Sequence, residues 1–187
     1  MITVRMIIWV CSACGSARIW RVERYRAVKI VRRDGHHGVQ GFETEFQGLQ
    51  RYEPISRSHE GLVHVLQIGR NNHGGFFYYV MEVADDQATG REINPNIYAA
   101  RTLKGEIANR GCIPVEECLR IGLSLSAAIA HIHKHGLIHR DIKPANVVFV
   151  DGVPKLADIG LIANVGRVTY AGTPGFIPKE GPGNPPR

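Results

Sequence analysis

HIHKHGLIHRDIKPANVVFVDGVPKLAD, residues 131–158, is the stretch of sequence that decides the fold of this chain. Its polar residues follow short, fixed spacings: Asp141 closes a His-Arg-Asp triplet, Lys143 follows two positions later and Asn146 five positions later. Asp158 comes after two short apolar segments. Each motif alone is weak evidence, but motifs that occur together in a fixed order are much more specific.

These motifs resemble the catalytic loop and metal-binding turn of eukaryotic-like protein kinases, as found in the bacterial serine/threonine type. The chain reads HRDIKPAN at 139–146, and it reads ADIG at 157–160 where the family most often has DFG. The resemblance implies transfer of the γ-phosphoryl group of ATP, with Mg²⁺ as the metal, to the hydroxyl of a protein substrate. Such a reaction depends mainly on positioning and on neutralisation of charge.

The resemblance also assigns roles within the stretch. Asp141 would be the catalytic base, Lys143 would contact the γ-phosphate, and Asn146 and Asp158 would hold Mg²⁺ through oxygen atoms. A lysine at position 143 is more similar to serine/threonine kinases than to tyrosine kinases. Serine and threonine hydroxyls are therefore the expected acceptors.

Composition limits the class of protein. With 187 residues and 44% hydrophobic residues, the chain is long enough for one domain with a buried core. Its net charge of +6 is compatible with nucleic-acid binding, but a nucleic-acid-binding module explains none of the motifs, so we expect no such partner. The opening MITVRMIIWV is interrupted by Arg5, and no apolar run approaches the ~18 residues of a membrane span. We expect no membrane segment and a cytoplasmic location.

Four cysteines raise the alternative of a metal site. Cys11 and Cys14 form a C-x-x-C pair followed by glycine, as in one half of a zinc knuckle. Cys112 and Cys118 do not form a second such pair. In the cytoplasm we expect all four to be thiols, and zinc remains the less favoured alternative.

The stretch YRAVKIV, residues 25–31, is rich in strand-forming residues and resembles the third strand of a kinase, which makes Lys29 the lysine that binds the α- and β-phosphates. A buried lysine needs an anionic partner. By the same resemblance, Ala27 and Ile19 would contact the nucleotide. The preceding phosphate loop departs from the family, because three other residues stand where glycines are usual: Ser12, Cys14 and Ala17.

The acidic partner of Lys29 is expected from the next helix. Phe42, Phe46 and Leu49 recur at helical spacing. Both Glu43 and Glu45 are candidates, and Glu45 fits the family pattern because an apolar residue follows it directly and a leucine lies four positions on.

The resemblance implies a fold of two lobes, and the nucleotide base is expected to bind where the N-terminal lobe meets the C-terminal lobe. Strands are predicted over 62–68 and 76–83 with a turn at 71–75 between them. By resemblance, Met81 is the gatekeeper, the main chain of Glu82 and Ala84 binds the adenine edge, and Val148 also contacts the nucleotide.

The second half of the chain predicts helices and a hairpin. A short helix is predicted over 101–110, and a long helix begins at Pro114 and ends at His135, before Gly136. On the long helix, one face carries Leu119, Leu123, Ala127 and Ala130. Asp151-Gly152 is a strong signal for a tight hairpin between 147–150 and 153–156.

The resemblance ends at Pro178-Lys179-Glu180, where the family has Ala-Pro-Glu. Upstream of it, Thr169 is the hydroxyl that we expect to be phosphorylated in regulation. The predicted fold is α+β and two-lobed: residues 1–83 form an antiparallel N-lobe with one helix, and residues 84–187 form a hinge and an incomplete, mainly helical C-lobe. Absence of later helices would expose an apolar face of the long helix and favour self-association.

Two functions remain open at this point. The lysine, aspartates and asparagine favour a serine/threonine kinase or a fragment of one. The glycine-poor loop and the missing helices favour a catalytically impaired pseudokinase or scaffold that binds nucleotide without turnover.

Overall fold

The computed structural model describes residues 25–33, 38–159, 162–164 and 172–177. The predicted Ile19 contact, the Cys11/Cys14 pair, the phosphate loop, Thr169 and the 178–180 motif lie outside these residues. Two groups of elements follow one another along the chain. Together they form an α+β fold, with an antiparallel sheet and one helix followed by a more helical part.

The first group contains three strands and a long helix. In chain order these are β1 (Arg26–Arg32), α1 (Gly38–Ser56), β2 (Val65–Asn71) and β3 (Phe76–Glu82). The strands form one antiparallel sheet in the order β1-β3-β2. The expected turn lies between β2 and β3, where the side chain of Asn71 accepts a hydrogen bond from the amide of Gly74 at 2.7 Å.

The helix α1 packs on the sheet through its apolar stripe. Phe42 and Leu49 are buried, as their helical spacing predicts, and Phe42 and Phe46 both contact the ring of Phe77 on β3, with centroids 4.9 and 5.2 Å apart. The burial of these side chains provides the main favourable term that holds the helix on the sheet. The orientation of α1 thus fixes which residues point toward Lys29.

The second group contains two helices, one 3₁₀ turn and two pairs of short strands. In order these are α2 (Leu103–Arg110), α3 (Val115–Lys134), β4 (Leu137–Ile138), a 3₁₀ turn (Pro144–Asn146), β5 (Val147–Val150), β6 (Val153–Leu156) and β7 (Ala163–Asn164). Strand β5 pairs with β6, and β4 pairs with β7. The predicted bounds of α3 agree with the structure, because Pro114 precedes the helix and His135 caps it.

The two groups share one core. Leu62, just before β2, bridges to Leu156 on β6, and the buried cluster extends from the sheet through α1 to α3. Its members, all nearly inaccessible, include Tyr52, Leu62, Phe77, Tyr79, Ala128, Ile132, Leu137, Leu156 and Ile159. The end of β6, which carries the predicted site residues, is thereby attached to both groups.

The buried face of α3 is not the one that carries Leu119, Leu123, Ala127 and Ala130. Ile121, Ala128 and Ile132 are buried against the strands β4 and β6, whereas Leu119 and Leu123 are 62% and 71% exposed. The sequence contains two apolar stripes on this helix, and its packing partners decide which one is covered. The stripe that the sequence analysis singled out is the exposed one.

None of the helices in the described part of the chain is long and apolar enough to cross a membrane.

Candidate active site

Lys29 projects from β1 and forms an ion pair with Asp158, which follows β6. The two side chains approach to 2.7 Å between Nζ and Oδ1, with 8% of the lysine side chain and 46% of the aspartate side chain exposed. The pKa of Lys29 lies above its usual value. Burial alone would lower this pKa, but Tyr79, Asp158 and Glu45 together outweigh burial. Lys29 is therefore a buried cation at neutral pH.

The expected ion pair between Lys29 and Glu45 is not formed. Among the described residues, the ion pair of Lys29 is with Asp158, and Glu45 acts on Lys29 only through longer-range electrostatics. Burial raises the pKa of Glu45 to about 7, with Lys29 opposing this rise. The other candidate, Glu43, forms two hydrogen bonds to Arg70 at 2.6 and 2.8 Å. Asp158, and not Glu45, lies within ion-pair distance of Lys29.

The predicted catalytic-loop residues form one hydrogen-bonded cluster around Asp141. The Asn146 amide donates to both the main-chain oxygen and Oδ2 of Asp141, each at 2.8 Å. Lys143 donates to Oδ2 of Asp141 at 2.8 Å and to the hydroxyl of Thr173 at 2.6 Å. Thr173 in turn donates to Oδ1 of Asp141 at 2.6 Å. Every oxygen of the Asp141 side chain is thus oriented by a neighbour.

Asp141 is ionised at neutral pH in this setting. Burial acts to raise its pKa, but hydrogen bonds from Lys143, Thr173 and Asn146 reverse the effect, and the pKa of Asp141 lies below its usual value. Hydrogen bonds to a carboxylate lower its pKa and make it a weaker base. To act as a general base, Asp141 must therefore lie within hydrogen-bond distance of the hydroxyl whose proton it accepts.

The backbone connects this cluster to Asp158. The amide of Ala157 donates to the main-chain oxygen of Asn146 at 2.8 Å, and the ring of His139, which is 1% exposed, lies 3.0 Å from the oxygen of Ala157. Arg140 and Asp158 adopt positive φ angles of 66° and 57°. Such angles are costly for residues other than glycine and persist only where the surrounding structure holds them.

The predicted base-binding residues of the sheet lie at the end of the β1–β3 pair near the second group. Ala27 and Met81 face each other across β1 and β3, two positions from the Lys29–Tyr79 pair and therefore on the same face of the sheet. Val148 is half-buried on β5, opposite Lys155.

Two contacts at this end of the sheet were not anticipated from the sequence. The main-chain oxygen of Ala84 accepts a hydrogen bond from the hydroxyl of Tyr98 at 3.0 Å. The Glu82 side chain accepts one from the buried Lys155 at 2.7 Å. Both contacts join residues distant in sequence, so no local pattern signals them.

The donor set fits a magnesium ion that is completed by phosphate. Within the described ranges, no group of three or more histidine, cysteine, aspartate or glutamate side chains could hold a metal by itself. Asn146 uses its amide nitrogen toward Asp141, which leaves its oxygen as the ligand atom, and the Asp158 side chain is half-exposed. Mg²⁺ prefers oxygen ligands and commonly binds one or two protein groups together with substrate phosphates.

Comparison with known proteins agrees with this geometry. Residues 13–181 match the family described as protein kinase domain. A probable serine/threonine-protein kinase of Clostridium perfringens is 29% identical over 161 residues, which cover 84% of this chain and 20% of the relative. The DNA damage-responsive serine/threonine-protein kinase RqkA of Deinococcus radiodurans is 26% identical, covering 89% of this chain and 24% of the relative. Serine/threonine-protein kinase PrkC of Bacillus subtilis is 27% identical, with the same coverage of 89% and 24%. The chain thus spans a quarter or less of the length of these relatives.

Proposed function

Since the chain belongs to the protein kinase family, we propose that its site transfers the γ-phosphoryl group of magnesium ATP to serine or threonine hydroxyls of a protein. One observation carries the proposal: hydrogen bonds join Asp141 to Asn146 and Asn146 to Ala157, and the next residue along the chain, Asp158, pairs with Lys29. This connection supports the proposal because it links two carboxylates, an amide and a buried ammonium.

Each residue then has a role. Asp141 accepts the proton of the attacking hydroxyl. Lys143 places positive charge beside the transferred phosphoryl group, and Lys29 places positive charge beside the α- and β-phosphates. Asn146 and Asp158 would hold Mg²⁺, which when bound neutralises charge on the phosphate oxygens. Thr173 keeps Lys143 beside Asp141 through its hydroxyl.

The adenine base would bind where the two groups of elements meet. The main chain of Glu82 and Ala84 would contact the edge of the base, and Ala27, Met81 and Val148 would contact its faces, together with Ile19. Residues 1–83 and 84–187 then act as two lobes on either side of the nucleotide. The use of ATP supports the cytoplasm as the site of action, where the two described cysteines, Cys112 and Cys118, would remain free thiols.

The test is phosphoryl transfer from labelled ATP to a mixture of serine- and threonine-containing peptides. Asp141→Asn and Lys29→Met should each lower the rate by at least about a hundredfold. Asp151→Asn, at an exposed position on the hairpin turn where asparagine tolerates the positive φ of 53°, should leave the rate unchanged.

Turnover that survives Asp141→Asn would contradict the assignment. Binding of magnesium ATP without any turnover by the unchanged chain would instead favour the scaffold.

A further inference from the structure

Tyr79 on β3 is a buried polar residue that the roles above leave unexplained. It is the direct cross-strand partner of Lys29 in the β1–β3 register, and its side chain is only 1% exposed. Its hydroxyl has no hydrogen-bond partner among the described residues. Buried polar atoms in native proteins are nearly always paired, so an unpaired hydroxyl beside a candidate active site calls for an explanation.

The surroundings of Tyr79 identify that partner. The Lys29 ammonium lies 5.9 Å from the centre of the Tyr79 ring. Burial raises the pKa of Tyr79, Lys29 opposes the rise, and Asp158 and Glu45 add to it. The hydroxyl is therefore neutral, and Lys29, Asp158 and Glu45 all act on it electrostatically. As a neutral hydroxyl it offers lone pairs to a donor.

Lys29 has hydrogen atoms to donate. An ammonium carries three N–H groups, and the hydrogen bond to Asp158 at 2.7 Å uses one of them. Asp158 is also the residue assigned to the metal, so its hold on Lys29 weakens when a metal binds. Glu45, with a pKa of about 7, is only partly ionised at neutral pH and is a weak replacement.

We propose that Tyr79 is a positioning residue of this site, whose hydroxyl oxygen accepts a hydrogen bond from Lys29 and keeps the ammonium in place when Asp158 turns to a bound metal. This inference rests on the proposed function, because that function assigns Asp158 to the metal. The strand register sets the two side chains next to each other on one face of the sheet, since the β1–β3 pairing extends on both sides of them.

The first experiment compares Tyr79→Phe with Tyr52→Phe. Tyr79→Phe removes the hydroxyl and keeps the ring against Lys29. Tyr52 is the matched control, because it is equally buried and, among the described residues, its hydroxyl hydrogen-bonds to the main-chain oxygen of Val63, at 3.4 Å. We expect Tyr79→Phe to lower kcat/KM for magnesium ATP by about tenfold or more, the loss typical of a hydrogen bond to a charged group. Equal kcat/KM for Tyr79→Phe and the unchanged chain would overturn the proposal.

The second experiment needs no catalysis. In Asp158→Asn the charged partner of Lys29 is gone, and nitrogen-15 NMR reports the hydrogen exchange of the Lys29 ammonium. We expect this exchange to become about tenfold faster when Tyr79→Phe is added, and to stay unchanged when Tyr52→Phe is added. The same exchange rate with and without the Tyr79 hydroxyl would overturn the proposal.

The two experiments separate the two claims. An inactive chain in which Tyr79→Phe speeds exchange refutes the kinase function and supports the contact between Tyr79 and Lys29. An active chain in which Tyr79→Phe changes neither readout refutes the role of Tyr79 and supports the kinase function.

Discussion

At the scale of single residues, two carboxyl groups act on Lys29 in different ways. Asp158 forms the ion pair at 2.7 Å, whereas burial raises the pKa of Glu45 to about 7. The protonation of Glu45 therefore changes within the physiological range. Because Lys29 opposes this rise, ionised Glu45 becomes a second attraction for the ammonium at higher pH.

The raised pKa of Glu45 predicts a pH-dependent stability. Between its unfolded and folded pKa, the folded chain binds more protons at Glu45 than the unfolded chain, so this residue destabilises the fold as pH rises from about 4.5 to about 7. Glu45→Gln removes that contribution. Urea unfolding should show the variant gaining stability over the unchanged chain between pH 5 and pH 8, by one to about 3 kcal/mol.

Glu43 on the same helix is the control of opposite sign. Its hydrogen bonds to Arg70 lower its pKa, so the stability that it contributes is present above its unfolded pKa and is lost as pH falls. Glu43→Gln should cost stability at pH 8 and progressively less at acidic pH. Parallel curves for Glu45→Gln and the unchanged chain from pH 5 to pH 8 would show that Glu45 is not buried as described.

Some residues of the site could be predicted from the sequence and others could not. Asp141, Lys143 and Asn146 lie within six positions of each other, so their spacing alone brings them together. The Lys29–Glu45 pair depends on how far α1 stands from β1, which helical periodicity does not determine. Tyr79 could have been found from the strand register, had β1 and β3 been aligned residue by residue.

At the scale of elements, the β5–β6 hairpin follows its sequence closely. Asp151 and Gly152 have φ angles of 53° and 79°. A two-residue hairpin turn of type I′ requires a positive φ at both of these positions. The carboxylate of Asp85 accepts hydrogen bonds from both amides, at 3.0 and 2.8 Å. The hairpin holds the end of β6 and thereby the position of Asp158.

Substitution of glycine by alanine is expected to have opposite effects on the free energy of unfolding at two positions. Gly152→Ala forces a side chain into the left-handed region and should cost about 1–2 kcal/mol of unfolding free energy. Gly122 lies within α3 with open space around it, so Gly122→Ala should add about 0.5–1 kcal/mol. Urea unfolding of both variants measures the difference, and a loss of stability at both positions would contradict the described helix or turn.

Helix α3 shows what periodicity leaves open. Two apolar stripes run along it, one through Ile121 and Ala128 and the other through Leu119 and Leu123. Hydrophobic spacing predicted the helix and its bounds correctly. The choice of the buried stripe depends on β4 and β6, whose positions are set by contacts far away in the sequence.

At the scale of the whole molecule, the exposed apolar stripe of α3 is a surface that could bind a second copy of the chain. Val115, Leu119 and Leu123 are 75%, 62% and 71% exposed at successive turns of α3, and contiguous apolar surface favours association. We expect sedimentation velocity to show concentration-dependent association that Leu119→Glu and Leu123→Glu reduce. Ile97→Glu, at an isolated residue that is 73% exposed, should have no such effect. A single concentration-independent monomer for the unchanged chain would contradict this prediction.

The central claim is that Asn146 and Asp158 of the second group hold magnesium nucleotide beside Lys29 of the first group. Mn²⁺ has the same preference for oxygen ligands as Mg²⁺, and it broadens NMR signals of nuclei close to it. The most direct measurement is the NMR spectrum of the side-chain amides with Mn²⁺, with and without ATP. The account predicts that Mn²⁺ with ATP broadens the signal of Asn146 and leaves that of Asn72, in the turn at the far end of the sheet, unchanged. An Asn146 signal that stays sharp with saturating Mn²⁺ and ATP would contradict it.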